Sequence, residues 1–147
     1  MHGAKPNELR VVMRAKDLCR YVMTVTQKSP KQYRFTFTSR MQNLCMDAIE
    51  HIYRANETYV SALQDKRERC EQRLNFQHEA LTEFRMLAYF AQLALEQNAI
   101  LPKQYEQIAK QSADCMNLIG AWIHSDKRRF GQKLDTKPGA RGDDVAV

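Results

Sequence analysis

Residues 28–40 read KSPKQYRFTFTSR, and the fold turns on how they are read. Inside them, Tyr33-Arg34-Phe35-Thr36-Phe37-Thr38 alternates apolar and polar residues of β-forming type, the pattern of a half-buried strand. The residues just before point the other way. Ser29 suits an N-cap, Pro30 suits the first helical position, and Gln32 stands where a capping box places its Glu or Gln. Continued forward, Tyr33, Phe37, Met41, Leu44, Ala48 and Ile52 hold a four-three register without a break. A strand at 33–38 would have no partner strand elsewhere in the chain. The stretch therefore predicts a helix opening at Ser29 and ending near Asn56.

Working outward, Val11, Ala15, Leu18, Val22 and Val25 form one apolar stripe on a first helix from about Asn7 to Gln27, closed before Pro30. A third helix runs from about Ala62 to Gln97, with Ser61 and Gln64 repeating the Ser-x-x-Gln start. Its opening, DKRERCEQR, is charged nearly all round, with Asp65–Arg69 and Arg67–Glu71 at helical spacing, and reads as solvated. Its second half carries Ala80, Leu81, Phe84, Leu87, Ala88, Ala91 and Leu95. Asn98 and Pro102 end this helix and start a fourth, about Lys103 to Lys127, with Tyr105, Ile108, Ser112, Cys115, Ile119 and Trp122 on one stripe. PKQY occurs at 30–33 and again at 102–105, reading as shared helix-start chemistry. Four amphipathic helices on short connections predict an all-α, antiparallel up-down-up-down four-helix bundle over residues 1–130. From Gly131 the apolar content falls away, and residues 131–147 read as a disordered tail.

Composition agrees. Only 5 Gly and 4 Pro in 147 residues favour helices over a strand-and-turn protein. Cys19, Cys45, Cys70 and Cys115 fall on different helices at or beside core positions and form no Cys-x-x-Cys pair, as reduced thiols do. No apolar run approaches membrane-spanning length and no hydrophobic signal segment opens the chain, so a cytoplasmic protein is expected.

The net charge of +6 is unevenly placed. Residues 1–40 carry nine Lys or Arg against two acids, and residues 127–147 six against three, while the middle is net acidic. Basic ends suit a polyanionic or acidic partner. Lys28, Lys31, Arg34 and Arg40 crowd the start of the second helix with no acid among them. Lys31 and Arg34, in its first turn, oppose the helix dipole at a cost of a few tenths of a kcal/mol each, which hints at a bound anion. Arg34 and Arg40 laid over the bundle, with Lys28 closing the first helix, would equally account for them. Arg85 interrupts the most apolar stretch, LTEFRMLAYFAQLA, where a charge should be paired, at an interface, or covering Leu81 or Tyr89. Lys127, Arg128 and Arg129 lead into the tail.

Catalytic patterns are sparse. His2, His51, His78 and His124 have no ligand-spaced neighbour on the same helix face, Glu-x-x-His pairs are absent, and no Gly-rich phosphate loop or nucleophile constellation occurs. No catalytic residue, metal or cofactor is assigned. Arg73 to His78, RLNFQH, has the Arg-x4-His form of helical HEPN-type ribonucleases, although apolar Leu74 follows the Arg where a polar residue is usual.

KSPKQYRFTFTSRMQNLCMDAIEHIYRANE, then FRMLAYFAQLALEQNAILPKQYEQIAKQ and LIGAWIHSDKRRF, resemble the accessory variability determinant (Avd) proteins that accompany reverse transcriptases of diversity-generating retroelements. The resemblance spans about residues 8–130 and extends to proteins encoded by intervening sequences of bacterial large-subunit ribosomal RNA genes, whose role is unknown. It rests on the basic Ser-Pro-Lys helix start, Arg85 inside the third helix, and Gly120 to Ile123 near the end of the fourth. It implies a non-enzymatic homopentamer that binds the reverse transcriptase and template-repeat RNA through basic surface, supporting mutagenic cDNA synthesis. Lys31, Arg34, Arg40 and Arg85 match the family's basic positions. Where some members carry a further Arg one turn later this chain has Tyr89, lowering the charge density there. Tyr89, Phe90, Phe76 and Trp122 exceed what one bundle core easily absorbs and suit packing between protomers, and Gly120 would admit another backbone against helix four.

Overall fold

The stripes set the architecture. In a computed structural model that describes residues 6–61 and 65–131, four helices are formed: α1 (Pro6–Gln27), α2 (Ser39–Asn56), α3 (Lys66–Glu96) and α4 (Pro102–Asp126). Each packs on its neighbours in sequence, and α1 closes against α4. This is the expected antiparallel four-helix bundle, with no strand among the described residues. None of the described helices is long and apolar enough to cross a membrane.

The core is the set of stripes turned inward. Val11, Ala15, Leu18, Val22 and Val25 of α1 meet Met41, Cys45, Ala48, Ile52 and Ala55 of α2; α3 supplies Ala80, Phe84, Leu87, Ala91 and Ala94; α4 supplies Ile108, Cys115, Ile119 and Trp122. Full burial of one such large apolar side chain stabilises by roughly 1.5–3 kcal/mol. Trp122 is 2% exposed, so the core absorbs it and it is not a spare aromatic for another protomer. Phe76 and Phe90 are half-buried, and Tyr89 is exposed. Gly120 faces outward, and a Cβ added there would meet nothing within 4 Å.

The connections follow local chemistry. At the end of α3, Asn98 takes φ 60°, and Ala99 N–H donates to Ala94 (2.8 Å) while Asn98 N–H donates to Leu95 (3.0 Å). Together these bonds make a Schellman stop. Pro102 then opens α4, and the Gln104 carboxamide accepts the Leu101 N–H at 2.8 Å. The expected start of α3 at Ala62 lies outside the described residues. Asp65, at φ 61°, immediately precedes α3, and its carboxylate stands 3.8 Å from Arg69, the pairing expected; Arg67 and Glu71 are not paired. Residues 132–147 of the expected tail also lie outside the described residues.

The chain enters α2 differently from the sequence reading. Pro30 sits outside the helix at φ −55°, ψ 140°, and neither Ser29 nor Gln32 makes a capping bond; a 3-10 turn, Lys31–Tyr33, leads into a π turn, Arg34–Thr38. The two PKQY copies therefore act one position apart: Pro102 is the first residue of its helix, whereas Pro30 precedes its own. Tyr33 explains the shift, because its hydroxyl donates to the Gln97 carbonyl at 3.0 Å and its ring packs against Phe37, fixing the entry against the end of α3.

Candidate nucleic-acid interface

The antiparallel fold sends the predicted cations to separate places. Lys28, Lys31, Arg34 and Arg40 gather at the end of the bundle where α1 stops and α2 begins. All four are exposed, and none is ion-paired to a described carboxylate. The Arg40 guanidinium lies 5.4 Å over the Phe90 ring, a stacked position that keeps its charge turned outward. Because residues four apart share a helix face, Tyr33 and Phe37 turn inward together and Phe35 points away. Phe35 is 86% exposed, more than any other large apolar side chain described. A hollow of about 430 Å³ beside it is lined by Phe35, Thr36, Ser39, Arg40, Asn43 and Phe90.

Arg85 is exposed and without an ion pair on α3, on the same face as Tyr89, roughly 18 Å along the helix from Gln97 at 1.5 Å per residue. Lys127, Arg128 and Arg129 lie at the opposite end of the bundle, in a π turn, Lys127–Gly131, that continues α4. Arg129 is engaged within the chain: it donates to Asp126 at 3.1 Å and stacks 4.4 Å over Phe130. The eight predicted cations thus form a cluster of four, a single flank residue and a second, partly neutralised group.

That second end holds the arrangement the sequence reading missed. Arg73 is not solvated but 5% exposed, at the centre of a buried network. Its Nε donates to Asp126 (2.6 Å), Nη2 to Glu8 (2.5 Å), and Nη1 to the carbonyls of Ala55 (3.1 Å) and Thr58 (3.4 Å). Gln77 adds a 2.8 Å bond to Asp126, and the guanidinium lies 5.3 Å over the Trp122 ring. Burial would lower the pKa of Arg73, but Asp126 and Glu8 more than offset it, so the charge is held firmly. The signal was available: counting back from Ala91, Leu87, Phe84 and Ala80 in threes and fours reaches Gln77 and Arg73. His78, by contrast, is exposed. With its donors directed at internal acceptors, Arg73 does not present a phosphate-binding fork beside His78, which removes the geometry the Arg-x4-His reading needs.

Among the described residues one group has metal-like disposition, His51 of α2 with Glu79 and Glu83 of α3, their ligand atoms within 4.8 Å of one another. His51 Nδ1 is 2.8 Å from Glu83 Oε1, and the His51 ring stacks on Phe76. The grouping crosses between helices, so spacing along one helix could not reveal it.

With this geometry in place, comparison with known proteins is decisive on ancestry. A model described as bAvd-like matches residues 9–126. The chain belongs to the bAvd-like family. The matched span takes in α2, α3, α4, the basic entry to α2 and all of α1 after Glu8, and stops before Lys127. No curated protein matches the chain. Among solved structures, a protein of unknown function from the S23 ribosomal protein family of Bacteroides thetaiotaomicron aligns with TM-score 0.65 at 18% identity, covering 80% of this chain and 98% of that one. That likeness concerns the fold, and the bAvd-like bundle shares it.

Proposed function

We propose that this protein is a non-catalytic accessory factor of a diversity-generating retroelement, which assembles as a homopentamer in the cytoplasm and binds a reverse transcriptase and its template RNA. Membership of the bAvd-like family supports the association with such elements. The observation that carries the binding reading is the set of unpaired cations Lys28, Lys31, Arg34 and Arg40 at one end of the bundle, free to neutralise phosphates. Arg85 adds a separate exposed cation on the flank of α3. Lys127 and Arg128 offer a second contact at the far end, and Arg129 contributes less because Asp126 already faces it.

Changing Lys31, Arg34 and Arg85 together to Glu tests the reading. Association with template RNA and with the reverse transcriptase is then lost while helicity by circular dichroism is kept. The wild-type affinity falls steeply with salt, as counterion release requires. Retained binding in the triple variant, with a flat salt dependence, overturns the proposal. Mass measurement in solution tests the pentamer independently.

A further inference from the structure

Resting on the RNA-binding reading above, we propose that Phe35 is a stacking platform for an unpaired base of single-stranded RNA. Its exposure is the starting point. The Phe35 ring, 86% in water, gains little from packing within this chain, whereas its neighbours Tyr33 and Phe37 are half-buried against the core.

The surroundings identify the occupant. Phe35 lies between Arg34 and Arg40, with Lys31 one turn before, and all three cations are exposed and without a described carboxylate partner. An aromatic platform beside unneutralised cations is the combination that grips single strands: the charges follow the phosphates while the ring takes a base face. A helical or β-strand partner of apolar character would leave those cations desolvated and unpaired, which is costly. The adjacent hollow, about 430 Å³, leaves room for a base beside the ring. The Arg40–Phe90 stack lines it too, a second flat surface. Thr36, Ser39 and Asn43 line the same hollow, with the Thr36 hydroxyl donating to the Tyr33 carbonyl at 3.3 Å and the Asn43 amide to the Ser39 hydroxyl at 3.5 Å. Double-stranded RNA has its bases stacked internally and meets only the charges.

The test uses the full chain with fluorescein-labelled oligouridine and a blunt RNA duplex of the same length, followed by anisotropy. Phe35→Ala weakens oligouridine binding about tenfold and leaves the duplex unchanged, whereas Phe35→Trp preserves both. A 2-aminopurine placed in the single strand is quenched by the wild type and not by Phe35→Ala. Lys31→Glu with Arg34→Glu weakens both nucleic acids. If Phe35→Ala binds oligouridine like the wild type while the double charge variant fails, stacking is overturned and the RNA-binding reading stands. If the charge variant also binds like the wild type, both are overturned. A change in the solution mass of Phe35→Ala with unaltered RNA affinity overturns the proposal by assigning Phe35 to an interface between copies of this chain.

Discussion

The Arg73 Nε donates to the Asp126 carboxylate at 2.6 Å, joining the first half of α3 to the last residue of α4. The same guanidinium reaches Glu8 of α1 and the carbonyls of Ala55, in α2, and Thr58, just beyond it, so one side chain connects all four helices at one end of the bundle. Removing one partner of a buried pair leaves the other charge uncompensated. Arg73→Ala is therefore expected to lower stability in urea unfolding by about 3–5 kcal/mol. Arg73→Lys keeps the charge but loses the fork geometry, and falls between the two. A loss under about 1 kcal/mol for Arg73→Ala, no more than an ordinary hydrogen bond, would show that the network contributes little.

Asn98 stands at φ 60° where α3 stops. A residue with a Cβ and no local polar group pays roughly 1–2 kcal/mol in that conformation. Asn98→Ala should be destabilised by about 1 kcal/mol, and Asn98→Gly should match or exceed the wild type. Equal unfolding midpoints for all three would place the helix stop elsewhere.

Burial raises the pKa of Glu83 above its usual 4.5; His51 pulls it down only in part, while Asp47 and Glu79 push it further up. The folded state therefore holds this proton more tightly than the unfolded state. Its stabilising contribution is complete below about pH 4.5 and is lost as pH rises through the raised folded value. Unfolding midpoints across that window should decline in the wild type and run flatter in Glu83→Gln. An identical slope in both proteins would exclude Glu83 as the source.

Cys19 lies half-buried, and its thiol is lowered to about 7 chiefly by a hydrogen bond from Cys45, against its own burial and with help from Arg20. The Cys45 thiol is pushed up by the same bond and by burial, and burial carries Cys115 up to about 12. In the native protein an aromatic disulfide reagent should modify Cys19 first, with a rate that climbs through neutral pH. Cys19→Ser should remove the fast phase. Modification of Cys45 or Cys115 at a comparable native rate would contradict this order.

The bundle was legible because each helix repeats its apolar residues at the helical period over several turns, and four such stripes have only each other to cover them. The Asn98 stop and the Pro102 start were equally plain, since φ > 0 and a missing N–H are properties of single residues. The entry to α2 was only half legible. Its helical nature followed from register, but the 3-10 and π turns come from Tyr33 reaching the Gln97 carbonyl, a contact made across 64 positions of sequence.

For the functional surface, the residues supplied the inventory and the tertiary structure the grouping. Sequence alone established that cations crowd the start of the second helix and that no acid lies among them. Only the folded chain shows that the C-terminal cations lie at the opposite end, that Phe35 projects into water, and that Arg73 is held inside by acids contributed from α1 and α4. The physical reason is that charge and periodicity are local, while the neutralisation of a charge depends on which distant carboxylate packing carries within hydrogen-bond reach.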